Sequence, residues 1–210
     1  MPVKRTDLIL ERVSGKRVLD VGCVDHDNEY ARTPDDLHQQ IAEEADYTLG
    51  IDVLDESVER MQEEGYNVVV ADIQSLDLDE VFDVIVLGEV IEHLVDFDGL
   101  LTSLESHLAP NGRIIITTPN AMSILYSIRR LVSGEFANTT HTTWFDSQTI
   151  KQLFARYGFE PVDIWFAMET AFEVDPVWSF VWLGEFVLPP ELGRRTLVAE
   201  FKQESDESLV

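Results

Sequence analysis

The run Val81-Phe82-Asp83-Val84-Ile85-Val86-Leu87 constrains this chain more than any other segment. Six of its seven residues are apolar and most are β-branched or aromatic, so it does not alternate as a half-exposed strand does. A strand of this kind has both faces covered. Covering both faces of a sheet calls for a layer of helices on each side, which is the α/β arrangement.

The remainder of the chain agrees. Short β-rich runs at 17–21, 47–51, 67–70 and 113–117 alternate with helical patterns at 55–64, 98–108 and 146–158. Another helix is expected around Leu37-His38-Gln39-Gln40-Ile41. The helix at 55–64 has Asp55 or Ser57 as cap, with Val58 and Met61 facing inward. The one at 98–108 stops at the turn signal Pro110-Asn111-Gly112. The one at 146–158 carries Ile150, Leu153, Phe154 and Tyr157 on one face and ends at Gly158. Two further strands are expected at 161–167 and 196–201. The connector between them is rich in Phe172, Trp178, Phe180, Trp182 and Phe186. The organisation expected is a single domain over 1–202, with insertions at 121–145 and 171–193 and a polar tail at 203–210.

Charge and composition narrow the function. The formal net charge is -25, and there are four lysines. An acidic surface repels phosphate backbones, so a nucleic-acid partner is disfavoured. Dispersed Asp and Glu with little Lys point to adaptation to high salt, where repulsion is screened; an ordinary acidic protein is the alternative. The single cysteine, Cys23, excludes a disulfide framework. The chain lacks a run of about twenty apolar residues and an apolar leader, so a cytoplasmic protein is expected.

In an open α/β sheet, ligands lie beyond the carboxyl ends of the strands, near the point where strand order reverses. After the first strand comes Asp20-Val21-Gly22-Cys23, where a small residue lets backbone approach a ligand. After the second comes Asp52-Val53, a carboxylate able to accept from ribose hydroxyls. Asp72-Ile73 follows the third; the carboxylate could accept from an adenine amino group and Ile73 could pack on the ring. Gly88-Glu89-Val90-Ile91-Glu92-His93 follows the fourth. Each alone reads equally as a helix cap or a solvated turn. Four in register at successive strand ends do not.

This ordered set resembles the class I S-adenosylmethionine (SAM)-dependent methyltransferases, particularly the small members related to quinone-biosynthesis O-methyltransferases. The residues that carry it are Val-Leu-Asp-Val-Gly-Cys from Val18, Gly-Ile-Asp from Gly50, Ala-Asp-Ile from Ala71, Phe-Asp-Val-Ile-Val-Leu-Gly-Glu-Val-Ile-Glu-His-Leu from Phe82, and Leu-Ala-Pro-Asn-Gly-Arg-Ile-Ile-Ile-Thr-Thr-Pro-Asn from Leu108. His141 ahead of Trp144-Phe145-Asp146 is also similar to the family. The resemblance implies a Rossmann-like seven-stranded, mostly parallel sheet with an antiparallel last strand and helices on both faces. It also implies SAM as cofactor, held by Asp20, Gly22, Cys23, Asp52, Val53, Asp72, Ile73, Gly88 and Glu89. The first loop departs from the pattern. The family continues Asp-x-Gly-x-Gly-x-Gly, whereas Cys23 here is followed by Val24-Asp25-His26-Asp27-Asn28, and Asp52 lies 32 positions after Asp20. Without a Gly-x-Gly-x-x-Gly to cradle a pyrophosphate, a dehydrogenase is disfavoured.

Methyl transfer from a sulfonium requires alignment of the acceptor and, for a hydroxyl, removal of its proton. His93, His141, Glu92 and Glu89 are the candidate bases. Some relatives hold a divalent metal with Glu-x-x-Glu-His, which here is Glu89, Glu92 and His93, and His141 could be a further ligand. Spacing of three or four residues on a helix face would let Glu89 converge with Glu92 or His93. Metal-free relatives carry Glu-His at the same place as a packing feature, so both readings stand. The insertion at 121–140 has Ile124, Leu125, Ile128 and Leu131 at amphipathic-helix spacing beside Arg129 and Arg130. Together with 172–188 it reads either as core or dimer contact, leaving oligomeric state open, or as an entrance for a lipid-linked or small-molecule acceptor. The second reading brings peripheral membrane contact through 172–188. Three functions follow: O-methylation of a sugar or quinone-type intermediate, metal-assisted RNA 2′-O-methylation, and a non-catalytic SAM-binding domain.

Overall fold

Neighbouring residues of the fourth strand serve opposite layers of the molecule, which is why it is apolar almost throughout. In the computed structural model, which describes residues 4–24, 36–133, 138–167 and 187–204, this strand is β4 (Phe82–Gly88). Val84 and Val86 pack under helices α1 (Arg5–Val13) and α2 (Leu37–Glu44), with Ile9, Val13 and Ile41. Ile85 and Leu87 face the other side, towards Leu100, Leu101 and Leu104 of α4 (Phe97–His107) and the neighbourhood of Ile150 and Phe154 of α6 (Ser147–Ala155). Each such side chain contributes about 1.5–3 kcal/mol when withdrawn from water.

β4 pairs in parallel with β1 (Arg17–Val21) on one side and β5 (Leu108–Pro119) on the other. β2 (Tyr47–Asp52) and β3 (Val68–Val70) continue the parallel sheet beyond β1. β7 (Thr196–Gln203) lies antiparallel between β5 and β6 (Phe159–Ala167). The order is β3-β2-β1-β4-β5-β7-β6. Strand order therefore reverses between β1 and β4, and the carboxyl ends of β1 to β4 all open on one edge.

All seven expected strands are present; the first matches at both ends, and the others are displaced at one or both ends by one to several residues. The largest difference is β5, which begins at Leu108 directly after α4. Phe82 pairs with Leu108 and Val84 with Arg113. The Pro110-Asn111-Gly112 signal is thus an excursion inside the strand, with Asn111 at φ 64°, rather than a loop before it. The cap expected at Asp55 or Ser57 is also different. Helix α3 (Asp55–Glu63) has Leu54 at its N-cap, and Asp52 Oδ1 accepts from the Leu54 amide at 3.0 Å, so Asp55 and Ser57 lie inside the helix. Asp146 caps α6 through a capping box with Thr149. Helix α1 was not legible, because Leu8, Ile9 and Val13 define a face only once the sheet lies beneath them. The amphipathic segment forms α5 (Ile124–Ser133), and its apolar residues divide: Leu125 is buried, whereas Ile124, Ile128 and Leu131 are exposed. A short helix α7 (Pro190–Gly193) leads into β7. The aromatic residues Phe172, Trp178, Phe180, Trp182 and Phe186, and most of the first loop, lie outside the described residues, as does 205–210. Among the described residues no helix is long and apolar enough to cross a membrane.

Candidate active site

The β1 end turns sharply at Gly22, whose φ is 75° and whose amide donates to the Ile51 carbonyl at 2.9 Å. A Cβ there would lie 2.4 Å from Cγ2 of Val90, so the backbones after β1 and β4 approach as only glycine permits. Cys23 is buried beside it and packs with Val58, Met61 and Val68. Asp20 lies on β1, two residues before Gly22. Its carboxylate, 3% exposed, is hydrogen-bonded to His38 Nδ1 at 2.8 Å under α2.

The β2 end presents Asp52, buried, whose two oxygens accept from the amides of Val24 at 3.2 Å and Leu54 at 3.0 Å. These bonds fix the carboxylate at the strand end while leaving each oxygen a further lone pair. Val53 beside it is 63% exposed, an apolar surface at the mouth. At the β3 end, Asp72 Oδ1 accepts from the Gln74 amide at 2.9 Å and caps a 3-10 turn (Ile73–Ser75). Ile73 is buried in the main core and offers almost no surface for a ring to cover. Val70, which is 47% exposed, is the apolar side chain available near this end.

The segment after β4 differs from the helix face expected of it. Glu89 has φ 57°, with its amide donating to the Thr117 carbonyl at 3.0 Å, and only one 3-10 turn (Ile91–His93) follows. Glu89 lies 3.5 Å from Arg5 of α1. The side chains that converge are Glu92, His93 and His141, with one ligand-capable atom of each within 4.8 Å of the others. His141 is brought there by backbone: the amides of Thr142 and Thr143 donate to the Glu92 carbonyl at 2.8 and 3.2 Å, and Thr142 Oγ1 donates to the Leu94 carbonyl. The His93 and His141 rings meet edge to face at 4.7 Å, and Trp144 continues the series at 5.9 Å from His141.

Glu92 is the most perturbed of these groups. It is 1% exposed; Oε2 accepts from Thr118 Oγ1 at 3.0 Å, and Oε1 has no hydrogen-bond partner. Burial, and then the negative charge of Glu89, push its pKa up to about 8. Burial and the neighbouring His93 hold His141 below the usual imidazole range, and its Nδ1 is also without a hydrogen-bond partner. A neutral imidazole beside a carboxyl with an unused oxygen can take a proton or bind a cation.

Arg5, His38, Thr118, Thr142 and Asn120 escaped the reading of the sequence. Asn120 is wholly buried; its side-chain amide donates to the carbonyls of Glu191 and Arg194 at 2.8 and 2.9 Å, and its oxygen accepts from Met122. It thereby ties the start of the 121–145 insertion to α7. The signal for Asn120 was the Thr-Thr-Pro-Asn at the strand end. Arg5 and His38 gave none, since each meets a partner far away in the chain.

A seven-stranded sheet of this order, with carboxylates at the ends of β2 and β3 and its reversal between β1 and β4, defines the α/β methyltransferase class. The family model described as "Methyltransferase domain" matches residues 3–164, and the chain belongs to that family. It is a class I SAM-dependent methyltransferase, distantly related to the ubiquinone biosynthesis O-methyltransferases. The ubiquinone biosynthesis O-methyltransferase of Rickettsia conorii is 30% identical over 127 residues, which are 58% of this chain and 41% of that enzyme. A SAM-dependent methyltransferase from Archaeoglobus fulgidus has the same fold, with a TM-score of 0.62 at 20% identity over 94% of each chain. The N-methyltransferase NodS from Bradyrhizobium japonicum WM9, solved with S-adenosylhomocysteine (SAH), superposes with a TM-score of 0.55 at 17% identity over 96% of this chain and 89% of its own.

Proposed function

We propose that this methyltransferase acts on a hydroxyl of a small or lipid-linked acceptor, a sugar or quinone-type intermediate, with the acceptor seated over Glu92, His93 and His141. The observation that carries the reading is that cluster: two imidazoles and a buried carboxyl, with Glu92 Oε1 and His141 Nδ1 lacking hydrogen-bond partners, next to the strand-order reversal. SAM lies across the ends of β1 to β4 in this reading. Asp52 accepts from the ribose hydroxyls, Asp72 from the adenine amino group, and Val53 covers the base. Gly22 and Gly88 give backbone access, and Arg5, a cation beside Glu89, meets the methionyl carboxylate.

The reaction is an in-line displacement. The acceptor oxygen attacks the methyl carbon, the carbon–sulfur bond breaks, and the electron pair returns to sulfur, leaving neutral SAH. The hydroxyl proton passes to His141 or His93, of which His141 is kept neutral by its surroundings. Glu92 holds its own proton to about pH 8, so it serves the pair as a neutral hydrogen-bonding group and not as the acceptor of the hydroxyl proton.

The donor set of one carboxylate and two imidazoles also fits Mg, Mn or Zn, with Glu92, His93 and His141 as ligands in place of Glu89. When bound, such an ion supplies Lewis acidity that eases ionisation of the hydroxyl. The exposed stripe Ile124, Ile128 and Leu131 supports an apolar acceptor. Peripheral membrane contact through 172–188 rests on the sequence alone.

Transfer of tritiated methyl from SAM into fractionated lipids, glycans and RNA tests the acceptor class. Label in the lipid or glycan fraction, lost in His141→Ala, supports the reading; label confined to RNA overturns it.

A further inference from the structure

Asp20 and His38 are each 3% exposed and share a 2.8 Å hydrogen bond between Oδ2 and Nδ1, yet the reaction proposed above uses neither. Asp20 is on β1, two residues before the Gly22 turn. His38 is the second residue of α2, whose N-cap Asp36 accepts from the Gln39 amide at 3.2 Å. Two glycines make room for this turn of helix. A Cβ on Gly50 of β2 would lie 2.7 Å from His38 Cε1, and one on Gly88 of β4 would lie 3.4 Å from Leu37 Cδ2. The His38 ring is also packed against Tyr66, with centroids 5.6 Å apart. The first turn of α2 is therefore registered on three strands at once, β1 through Asp20, β2 through Gly50 and β4 through Gly88. Those three ends form the cleft where strand order reverses.

We propose that His38 is a positioning residue for the cofactor: anchored by Asp20, it seats the first turn of α2 against β1, β2 and β4 and so sets the wall of the cofactor cleft. The inference rests on placing SAM at that cleft. A buried ionisable pair is an expensive way to hold a helix if packing alone is needed, because two apolar residues of similar volume do that as well or better. A directional bond fixes rotation and height of the helix, which a ligand wall requires and a core contact does not. The first loop lacks the family's glycine series, and α2 is the element seated beside the β1 end.

The test is calorimetric titration of the full chain with SAH, with melting curves alongside. His38→Leu keeps the ring's volume without its donor and is expected to weaken SAH by roughly tenfold or more, the loss of one hydrogen bond to a charged group. His38→Asn places an amide donor where Nδ1 stood and is expected to stay within about threefold of wild type. If His38→Leu does not fold, Asp20→Leu with His38→Leu leaves no buried charge and takes its place, with the same weakening expected in a protein that melts normally. Wild-type affinity in either leucine variant, or His38→Asn as weak as His38→Leu, overturns the proposal. No heat from SAH with the wild-type protein overturns instead the placement of the cofactor.

Discussion

The two halves of the sheet edge, to which SAM and the acceptor are assigned in the proposal above, are built on opposite terms. At the ends of β1 to β3 the carboxylates are already held: Asp20 by His38, Asp52 by the Val24 and Leu54 amides, Asp72 by the Gln74 amide. After β4, Glu92 Oε1 and His141 Nδ1 are buried without hydrogen-bond partners, and Ile124, Ile128 and Leu131 expose apolar surface nearby in sequence. Satisfied groups stiffen a site, whereas a buried polar atom without a partner costs roughly 1–3 kcal/mol and persists where something else uses it. On the placement of SAM and acceptor proposed above, the cofactor half is preorganised for one ligand, and the acceptor half retains unspent binding capacity.

Breaking the stiff half should have the largest effect. Gly22→Ala forces a Cβ to 2.4 Å from the χ1-stiff Val90 at a left-handed backbone position. The expected loss is about 2–4 kcal/mol, read from the urea midpoint. Adding Val90→Ala should recover part of it; no recovery would place the strain elsewhere. Asp52→Ala is expected to weaken SAH by roughly 10–100-fold in calorimetry, since it removes an acceptor for cofactor and local amides together. Unchanged affinity would take Asp52 out of the cofactor half.

The acceptor half predicts a different signature. Cobalt added to chelator-treated protein should give a visible absorption band that His141→Ala reduces several-fold; a band of equal strength in the variant removes His141 as a ligand. In metal-free protein, Glu92 keeps its proton to about pH 8, whereas in the unfolded chain it releases it near 4.5. Between these pH values the unfolded state binds fewer protons, so this group makes stability fall as pH rises. Glu92→Gln lacks that slope. Its melting temperature should gain on wild type from pH 5 to pH 8, and parallel curves would show that Glu92 titrates normally. The smallest effect is expected from Leu131→Lys, at a residue 87% exposed: stability within about 0.5 kcal/mol, with weaker methylation of apolar acceptors alone. Equal loss with water-soluble acceptors would detach the stripe from the acceptor half.

The cofactor half was the more legible one. Asp52, Asp72 and Gly22 follow strands whose periodicity is local, so their places could be read along the chain. Ile73 shows where that stops: the residue follows β3 as expected, but its side chain is in the core instead of open to a ring, because which side of the backbone faces the core depends on α4 packing above it. The acceptor half depended on distance. Glu92 and His93 are named by the resemblance to Glu-x-x-Glu-His relatives, but Glu89 is expected there on a helix that does not form, and Arg5 lies beside it from 84 residues earlier in the sequence. The join of the His141 segment to Glu92 is made by the Thr142 and Thr143 amides and the Thr142 hydroxyl, across some 50 residues that no local pattern connects.

The sequence by itself determined the α/β class, the seven strands and the carboxyl-end carboxylates, because periodicity and strand-end residues are properties of neighbours along the chain. Only the tertiary structure decided which carboxylate lies under α2, which meets Arg5, and which is buried with a free oxygen. Burial and partners at that scale are set by what the other strands and helices bring to the same place.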